Sequence, residues 1–177
     1  MRHFRQLPLT LAAALLLGTA PATAQKMDLT INVQTHNKNG ICFLYFPLGE
    51  MELAISVKAS NNNINVGVDD LPADVVEAGL DKENVPITLV LGNGKSVTTD
   101  GGAYRAGFQY RVSGYWEKTG DGAAILSYLK GGKEITAKVD GQSYGPFQIQ
   151  QTTGPVKDYA YNWLKTCITE NGGKPNF

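Results

Sequence analysis

Residues 41–59 read ICFLYFPLGEMELAISVKA, and this stretch decides the fold class. Residues 41–46 are continuously apolar, which is typical of a strand covered on both faces or of the central layer of a sandwich, and we expect Pro47 to end that strand. From Met51 onward, apolar residues occupy every second position, which is the period of a half-buried strand. The stretch therefore predicts two successive β-strands.

Apolar and polar residues alternate in later segments as well, and Gly, Asn and Asp separate those segments. Gly92-Asn93-Gly94 lies between two of them and favours a hairpin, because Asn and Gly accept positive φ angles. Together with the two strands above, the pattern predicts strands at residues 27–35, 64–68, 85–91, 95–99, 104–112, 134–139 and 146–150.

Helical signals are fewer. Short helices are predicted after Asp70 and after Asp121, each of which begins a stretch with helix-capping character. The last helix is predicted to begin near residues 153–155, and its apolar residues recur at helical spacing, so one face of it should dock on the sheet. We expect an α+β fold: a β-rich antiparallel sandwich or open barrel of about seven or more strands, with a C-terminal helix packed on the sheet.

The N-terminal segment has the pattern of a secretory signal peptide. Arg2 and Arg5 precede a short apolar run, and Ala22-Thr23-Ala24 supplies small residues for cleavage. The run is too short to cross a bilayer, which takes ~20 residues. We therefore expect residues 1–24 to be removed, residues 25–177 to form one domain, and the protein to be periplasmic or secreted without a transmembrane anchor.

The charge balance argues against a nucleic-acid partner. The full chain has 16 basic and 16 acidic side chains, and loss of Arg2 and Arg5 leaves 14 and 16, a net charge of about −2. Neither sign forms a long run. Binding to nucleic acid or to an anionic lipid surface draws on clustered basic side chains, so neither partner is expected.

Histidine and cysteine are scarce, and this restricts the chemistry. Without His3, the domain keeps one histidine, His36, which we expect to be an exposed turn residue rather than an acid–base catalyst, and two cysteines. A His/Cys zinc site and a Ser-His-Asp triad are therefore disfavoured. In an exported protein we expect Cys42 and Cys167 to form a disulfide, which would also remove them as nucleophiles; the alternative is two buried, reduced thiols.

No cofactor or metal motif is complete, and we expect neither a cofactor, a metal nor catalytic residues. Gly94-Lys95-Ser96 resembles the end of a P-loop, but the required upstream glycine is replaced by Leu89. The aspartates lack EF-hand spacing, and caps and turns account for them. Carboxylates that are paired in space remain an open alternative, although we expect Glu50, Glu52, Glu117 and Glu134 to be solvated.

The predicted strand at residues 104–112 supplies the candidate binding surface. Tyr104, Phe108 and Tyr110 share the face that we expect to be buried, although a stacking platform for sugars or apolar groups is the alternative. The opposite face can meet a partner that carries carboxylates. Tyr115 and Trp116 are adjacent, so one of the two should be exposed. The candidate binding surface is Arg105, Gln109, Arg111, Tyr115 and Trp116.

The C-terminal third resembles a known family. The order of its segments is Leu129-Lys130-Gly131-Gly132-Lys133, an alternating strand, Phe147-Gln148-Ile149-Gln150, and a helix that is entered at Gly154 and ends in Cys167. This order is similar to that of the small exported proteins of the invasion-associated locus B type. Gly154-Pro155-Val156 departs from the Gly-Phe usual there, and a second internal disulfide is missing. The resemblance covers about 45 residues, and it implies a cell-envelope location with host-cell association and no established catalytic residues.

These observations favour a function in binding. We expect a non-catalytic binding or accessory module of the periplasm or cell envelope, with a protein as its partner. One alternative is a periplasmic inhibitor or immunity-type protein that binds a partner enzyme through a protruding loop such as residues 61–63 or 100–102. The other is a small hydrolase that uses Asp or Glu without histidine.

Overall fold

The computed structural model describes residues 33–117, 120–150 and 158–177. Within these ranges the chain forms three helices, α1 (Ala73–Leu80), α2 (Asp121–Tyr128) and α3 (Tyr159–Glu170). It also forms nine strands: β1 (Gln34–Lys38), β2 (Ile41–Leu48), β3 (Met51–Lys58), β4 (Ile64–Asp69), β5 (Val85–Leu91), β6 (Ser96–Ala106), β7 (Gln109–Trp116), β8 (Glu134–Val139) and β9 (Gln142–Gln148).

The nine strands form one antiparallel sheet in the order β1-β2-β3-β4-β7-β6-β5-β8-β9. The sheet curls into a half-barrel, so that β2 approaches β9 although the two strands lie far apart in the strand order. Curling gives the sheet an inner face, which is buried, and an outer face, which is partly open to solvent. The predicted α+β class is confirmed, in the form of the open barrel.

Strand β2 shows how the inner face is built. Cys42, Leu44 and Phe46 point inward and are buried, whereas the residues between them are half-buried on the outer face. The continuous apolar run is therefore covered fully on one face only. Pro47 does not end the strand, contrary to the prediction. The pair Leu48–Met51 closes the turn between β2 and β3, so the nitrogen of Pro47 faces away from β3 and its missing N–H removes no bond of that ladder.

Helix α3 packs against β1 and β2, and a disulfide ties it to the inner face. Cys42 and Cys167 are bonded, with their Cα atoms 6.1 Å apart. Of the residues predicted to face the sheet, Ala160 and Cys167 are buried and Trp163 is half-buried, while Val156 lies outside the described residues. Leu164, which was not predicted on that face, is fully buried. The predicted start of this helix near residues 153–155 lies outside the described residues.

Several local predictions need correction. His36 is exposed as predicted, but it lies in β1, because the turn comes later, at Asn39 and Gly40, where the backbone takes positive φ angles. Residues 100–102 do not protrude as a loop; they lie inside β6 and pair with both β5 and β7. The predicted signal peptide, residues 1–24, and most of the predicted strand at residues 27–35 lie outside the described ranges. Over those ranges, no helix is long and apolar enough to span a membrane.

The disulfide should stabilise the folded chain mainly by restricting the unfolded one. It closes a separation of 125 residues, for which the chain-entropy estimate is about 5 kcal/mol at most. We expect Cys167→Ser to lower the melting temperature under oxidising conditions and to have little effect in excess dithiothreitol, where the wild-type protein is also reduced. Thermal unfolding with and without reductant measures this, and equal losses under both conditions would contradict it.

Candidate functional site

The segment predicted as one strand at residues 104–112 is a hairpin. Strand β6 ends at Ala106, β7 begins at Gln109, and these two residues pair across a two-residue turn. Gly107 has φ +64°, as the first central position of a type II′ turn requires, so glycine is suited to this position. The alternation of apolar and polar residues continues through the turn, so the sequence pattern does not mark it.

The turn also reverses which residues share a face. Within one strand, residues two or four positions apart lie on the same face. Across a two-residue turn, the residues that face each other are an odd number of positions apart, so they share a face instead. Tyr104 and Arg111 are paired on the outer face, whereas Arg105 is paired with Tyr110. The prediction that Tyr104, Phe108 and Tyr110 share a buried face is therefore wrong: Tyr104 is 40% exposed and Phe108 is 96% exposed, whereas Tyr110 packs against the core.

The end of this hairpin projects from the sheet. Strand β5 pairs with β6 only as far as Gly101, and β4 pairs with β7 only as far as Arg111. Residues 105–109 therefore have no neighbouring strand on either side, and we call them the hairpin tip. Helix α1 packs against β6 and β7 below the tip, where Gly79 approaches the side chain of Ala103.

Contacts within the tip hold its shape. The Arg105 guanidinium lies 5.1 Å from the centre of the Tyr110 ring, and its Nε donates a hydrogen bond to the Gly107 carbonyl at 3.3 Å. Arg105 thus links the turn to β7. Gln109 is exposed beside the turn. The Phe108 side chain is left almost wholly in solvent, at 96% exposure, whereas Leu80, a large aliphatic side chain that is also exposed, is at 48%.

A row of polar side chains crosses the sheet at the base of the tip. The row consists of four successive cross-strand partners, which therefore all lie on the outer face: Glu52 on β3, Asp69 on β4, Arg111 on β7 and Tyr104 on β6. Cross-strand partners of this kind are close enough for their side chains to interact. The row fixes β7 to β4 at the point where the hairpin leaves the sheet.

Asp69 and Arg111 form the central ion pair of the row. Arg111 donates from Nε and Nη2 to the two carboxylate oxygens of Asp69, which is 3% exposed. Burial disfavours the charged guanidinium, but hydrogen bonds to Asp69 and its negative charge outweigh that cost, so the pKa of Arg111 is raised. Gly67 makes room for this side chain, since a Cβ there would lie 3.2 Å from Arg111 Cδ. Arg111 was predicted on an open binding surface, but its charge is already paired with that of Asp69.

Glu52 is not the solvated carboxylate that was predicted. It is half-buried, and desolvation raises its pKa above the ordinary value; the nearby Asp69 raises it further, and Arg111 opposes the shift. The adjacent Tyr45 responds in the same direction, because burial and the charge of Glu52 raise the pKa of its hydroxyl. Glu52 therefore lies beside the Asp69–Arg111 ion pair, in which the charge of Arg111 is already paired with that of Asp69.

Tyr115 and Trp116 lie on opposite faces of β7, as expected for adjacent strand residues. Tyr115 is 53% exposed on the outer face, and its hydroxyl accepts a hydrogen bond from the Asn63 side-chain amide. Trp116 is 5% exposed and belongs to the core, so it contributes no side chain to a binding surface. The five residues of the predicted surface are thus divided among the tip, its base, the outer face and the core.

The loop at residues 61–63, the other protruding loop of the inhibitor hypothesis, is held by the C-terminal residues. Asn62 is 4% exposed, and its amide donates to the Lys174 carbonyl at 2.9 Å and to Asn176 Oδ1 at 3.1 Å. A residue that is buried in this way is not available to a partner. Of the protruding segments that the sequence suggested, neither presents an open tip.

Two of the cavities formed by the described residues have no paired carboxylates in their linings. One, of about 390 Å³, has Glu134 as its single carboxylate, and its lining is Gly92, Asn93, Tyr128, Gly131, Gly132, Lys133 and Glu134. The other, of about 240 Å³, has no carboxylate, and its lining is Ile41, Ser56, Lys58, Asn61, Asn63, Ile64, Asn65 and Tyr115. Over the described ranges, no three His, Cys, Asp or Glu side chains are grouped so that they could hold a metal ion.

Comparison with known proteins adds no assignment. No family model, curated protein or solved structure matches the chain. The resemblance of the C-terminal third to the invasion-associated locus B type stays a prediction.

Removal of one partner of the Asp69–Arg111 pair should be costly. Arg111→Gln leaves a buried carboxylate without its counter-charge, and we expect the free energy of unfolding to fall by about 3 kcal/mol. The double variant Asp69→Asn/Arg111→Gln removes both charges and should recover part of that loss. Urea unfolding of the two single variants and the double variant measures the coupling, and strictly additive effects would contradict a stabilising pair.

Glu52 should make stability depend on pH. A carboxyl whose pKa is raised by folding contributes stability below its unfolded pKa, about 4.3, and loses it as the pH rises through the folded value. We therefore expect Glu52→Gln to raise the melting temperature at pH 7, with a gain that shrinks towards pH 4. The exposed Glu77 on α1 offers the matched control, Glu77→Gln, and the same pH profile for both variants would show that the environment of Glu52 is not responsible.

Proposed function

We propose that this protein is an exported, non-catalytic binding module of the periplasm or cell envelope, which binds a partner protein through the hairpin tip. The observation that carries the proposal is Phe108, whose phenyl ring is 96% exposed at the turn of the β6–β7 hairpin. Burial of an exposed apolar ring in an interface is favourable, by about 2–3 kcal/mol for a side chain of this size.

The tip is suited to act as an anchor because contacts within it and at its base hold its shape. The type II′ turn at Gly107, the Arg105 contact with Tyr110 and the ion pair at the base all limit its motion. A preorganised anchor loses less conformational entropy on binding than a flexible loop does. Aromatic and arginine side chains are also the ones that most often dominate binding energy at protein interfaces.

The chemistry of the tip indicates the chemistry of its partner. Residues 102–112 contain two arginines and no acidic residue, and Arg111 is neutralised by Asp69. The tip therefore presents one phenyl ring and one open cation, Arg105. We infer a partner that offers an apolar pocket with a carboxylate at its rim. One ring and one cation bind an anionic membrane only marginally, which favours a protein over a lipid surface.

Three observations support export. The disulfide between Cys42 and Cys167 suits an oxidising compartment, and residues 1–24 have the pattern of a signal peptide. The similarity of the C-terminal third to the invasion-associated locus B type agrees with an envelope location. Association with a host cell is the most specific function that this resemblance suggests.

An inhibitor of a periplasmic enzyme is the second candidate, and the same hairpin favours it. A tip that projects beyond its neighbouring strands can enter a cleft, whereas a flat sheet face cannot. The two candidates differ in the partner: an inhibitor binds an enzyme and reduces its activity, while an accessory module binds a partner without that effect.

Side-chain replacements at the tip test the proposal. We expect wild-type protein on a resin to retain one stoichiometric partner from a periplasmic extract, and Phe108→Ala to weaken retention by about 10-fold or more, which corresponds to ~1.4 kcal/mol. Arg105→Gln should weaken it to a smaller extent and make it less sensitive to salt. Because Phe108 packs on nothing, its replacement should change the stability by less than about 0.5 kcal/mol.

Leu80→Ala is the matched control, since Leu80 is an exposed apolar side chain on α1. Equal retention by wild type, Phe108→Ala and Leu80→Ala would show that the tip is not the binding site. Loss with Leu80→Ala but not with Phe108→Ala would move the site to α1. Assay of the retained partner for enzyme activity, with and without the protein, then separates the inhibitor from the accessory module.

A further inference from the structure

The cavity of about 240 Å³ lies at a different place from the hairpin tip. It opens beside the turn between β3 and β4, and the side chains that matter to its chemistry are Ser56, Lys58, Asn61, Asn63, Asn65 and Tyr115. Tyr115 lies four residues along β7 from Arg111 and points to the same outer face. The volume is below that of most sites for drug-sized ligands, which span roughly 300–1,000 Å³, and suits a single small ring.

The aromatic ring at this cavity is exposed and yet positioned. Tyr115 is 53% exposed, and its hydroxyl accepts a hydrogen bond from Asn63 Nδ2. Its backbone carbonyl accepts a second bond, from Thr99 Oγ1 at 3.2 Å. A ring held by its hydroxyl keeps its face available for packing against the C–H groups of a ligand.

The polar lining consists of groups that both donate and accept hydrogen bonds. Amides and hydroxyls have both capacities, as do the neighbouring hydroxyl groups of a sugar. The Asn65 side chain bonds to no described group. Asn61 Oδ1 accepts from the Asn63 N–H at 3.0 Å, and Ser56 Oγ donates to the Asn65 carbonyl at 3.3 Å, which orients both side chains at the cavity.

The charge of the cavity selects among sugars. Lys58 is the one charged residue in its lining, and its ammonium group forms no salt bridge with any residue of the described ranges. Lys58 is exposed, so a neutral sugar would leave its charge to solvent and make no use of it. A sugar that carries a carboxylate complements it, and the complementary charge adds selectivity as well as affinity.

The geometry points to a binding site for one unit of an acidic saccharide of the uronic acid class. The sugar ring packs on Tyr115, its hydroxyls bond to Asn61, Asn65 and Ser56, and its carboxylate meets Lys58. This site is independent of the hairpin tip, because the two share no residue. An envelope protein with both sites binds a protein and a polysaccharide on separate surfaces.

Calorimetric titration of tetragalacturonic acid into the full chain at low ionic strength tests the site, with maltotetraose as the neutral probe. We expect tetragalacturonic acid to bind about 10-fold more tightly than maltotetraose. Lys58→Gln should remove that preference by weakening tetragalacturonic acid alone. Tyr115→Ala should weaken both saccharides by about 10-fold or more, and Tyr115→Phe, which keeps the ring, by less than about 3-fold.

Two variants serve as controls. Tyr104 is also an exposed outer-face tyrosine, on β6, so Tyr104→Ala should leave saccharide binding unchanged, as should Phe108→Ala at the tip. The proposal is overturned if wild type binds neither saccharide at 5 mM, or if Lys58→Gln and Tyr115→Ala bind as wild type does. It is also overturned if inorganic phosphate displaces tetragalacturonic acid at equal concentration, since the site would then recognise charge alone.

Discussion

The structure depends on how the open side of its curled sheet is covered. A half-barrel has a buried inner face but, unlike a closed barrel, no ring of strands to seal it, so another element has to exclude water from the core. Helix α3 does this over β1 and β2, and the Cys42–Cys167 bond fixes it there. Because the inner face is sealed in this way, the outer face is free to carry polar side chains and the hairpin tip.

The fold class could be predicted because a strand that is buried on one face has apolar residues at every second position. Residues 134–139, for example, alternate in the sequence and form β8 with the same bounds. The disulfide could be predicted because only two cysteines remain in the domain and both lie at inward positions. The strand order could not, since pairing of β4 with β7 rather than with β5 brings together segments that are distant in the chain.

The candidate sites were harder to predict, for a physical reason. Asp69 and Arg111 meet through strand register across 42 positions, and no local spacing encodes such a contact. The turn at Gly107 places Tyr104 and Tyr110 on opposite faces of the sheet, so Tyr104 lies on the outer face and Phe108 at the tip, whereas Tyr110 packs against the core as predicted. The one available signal was glycine before an apolar residue, as a type II′ turn with glycine first would have.

Strand β7 connects the two proposed sites without making them depend on each other. Its first residues form one side of the hairpin tip, and Tyr115 near its other end borders the cavity. Between them, Arg111 is paired with the buried Asp69, which anchors β7 to β4. A strand anchored between its two ends transmits little displacement from one end to the other, because each end is positioned by its own contacts. Occupation of the cavity should therefore leave the tip in the conformation that presents Phe108.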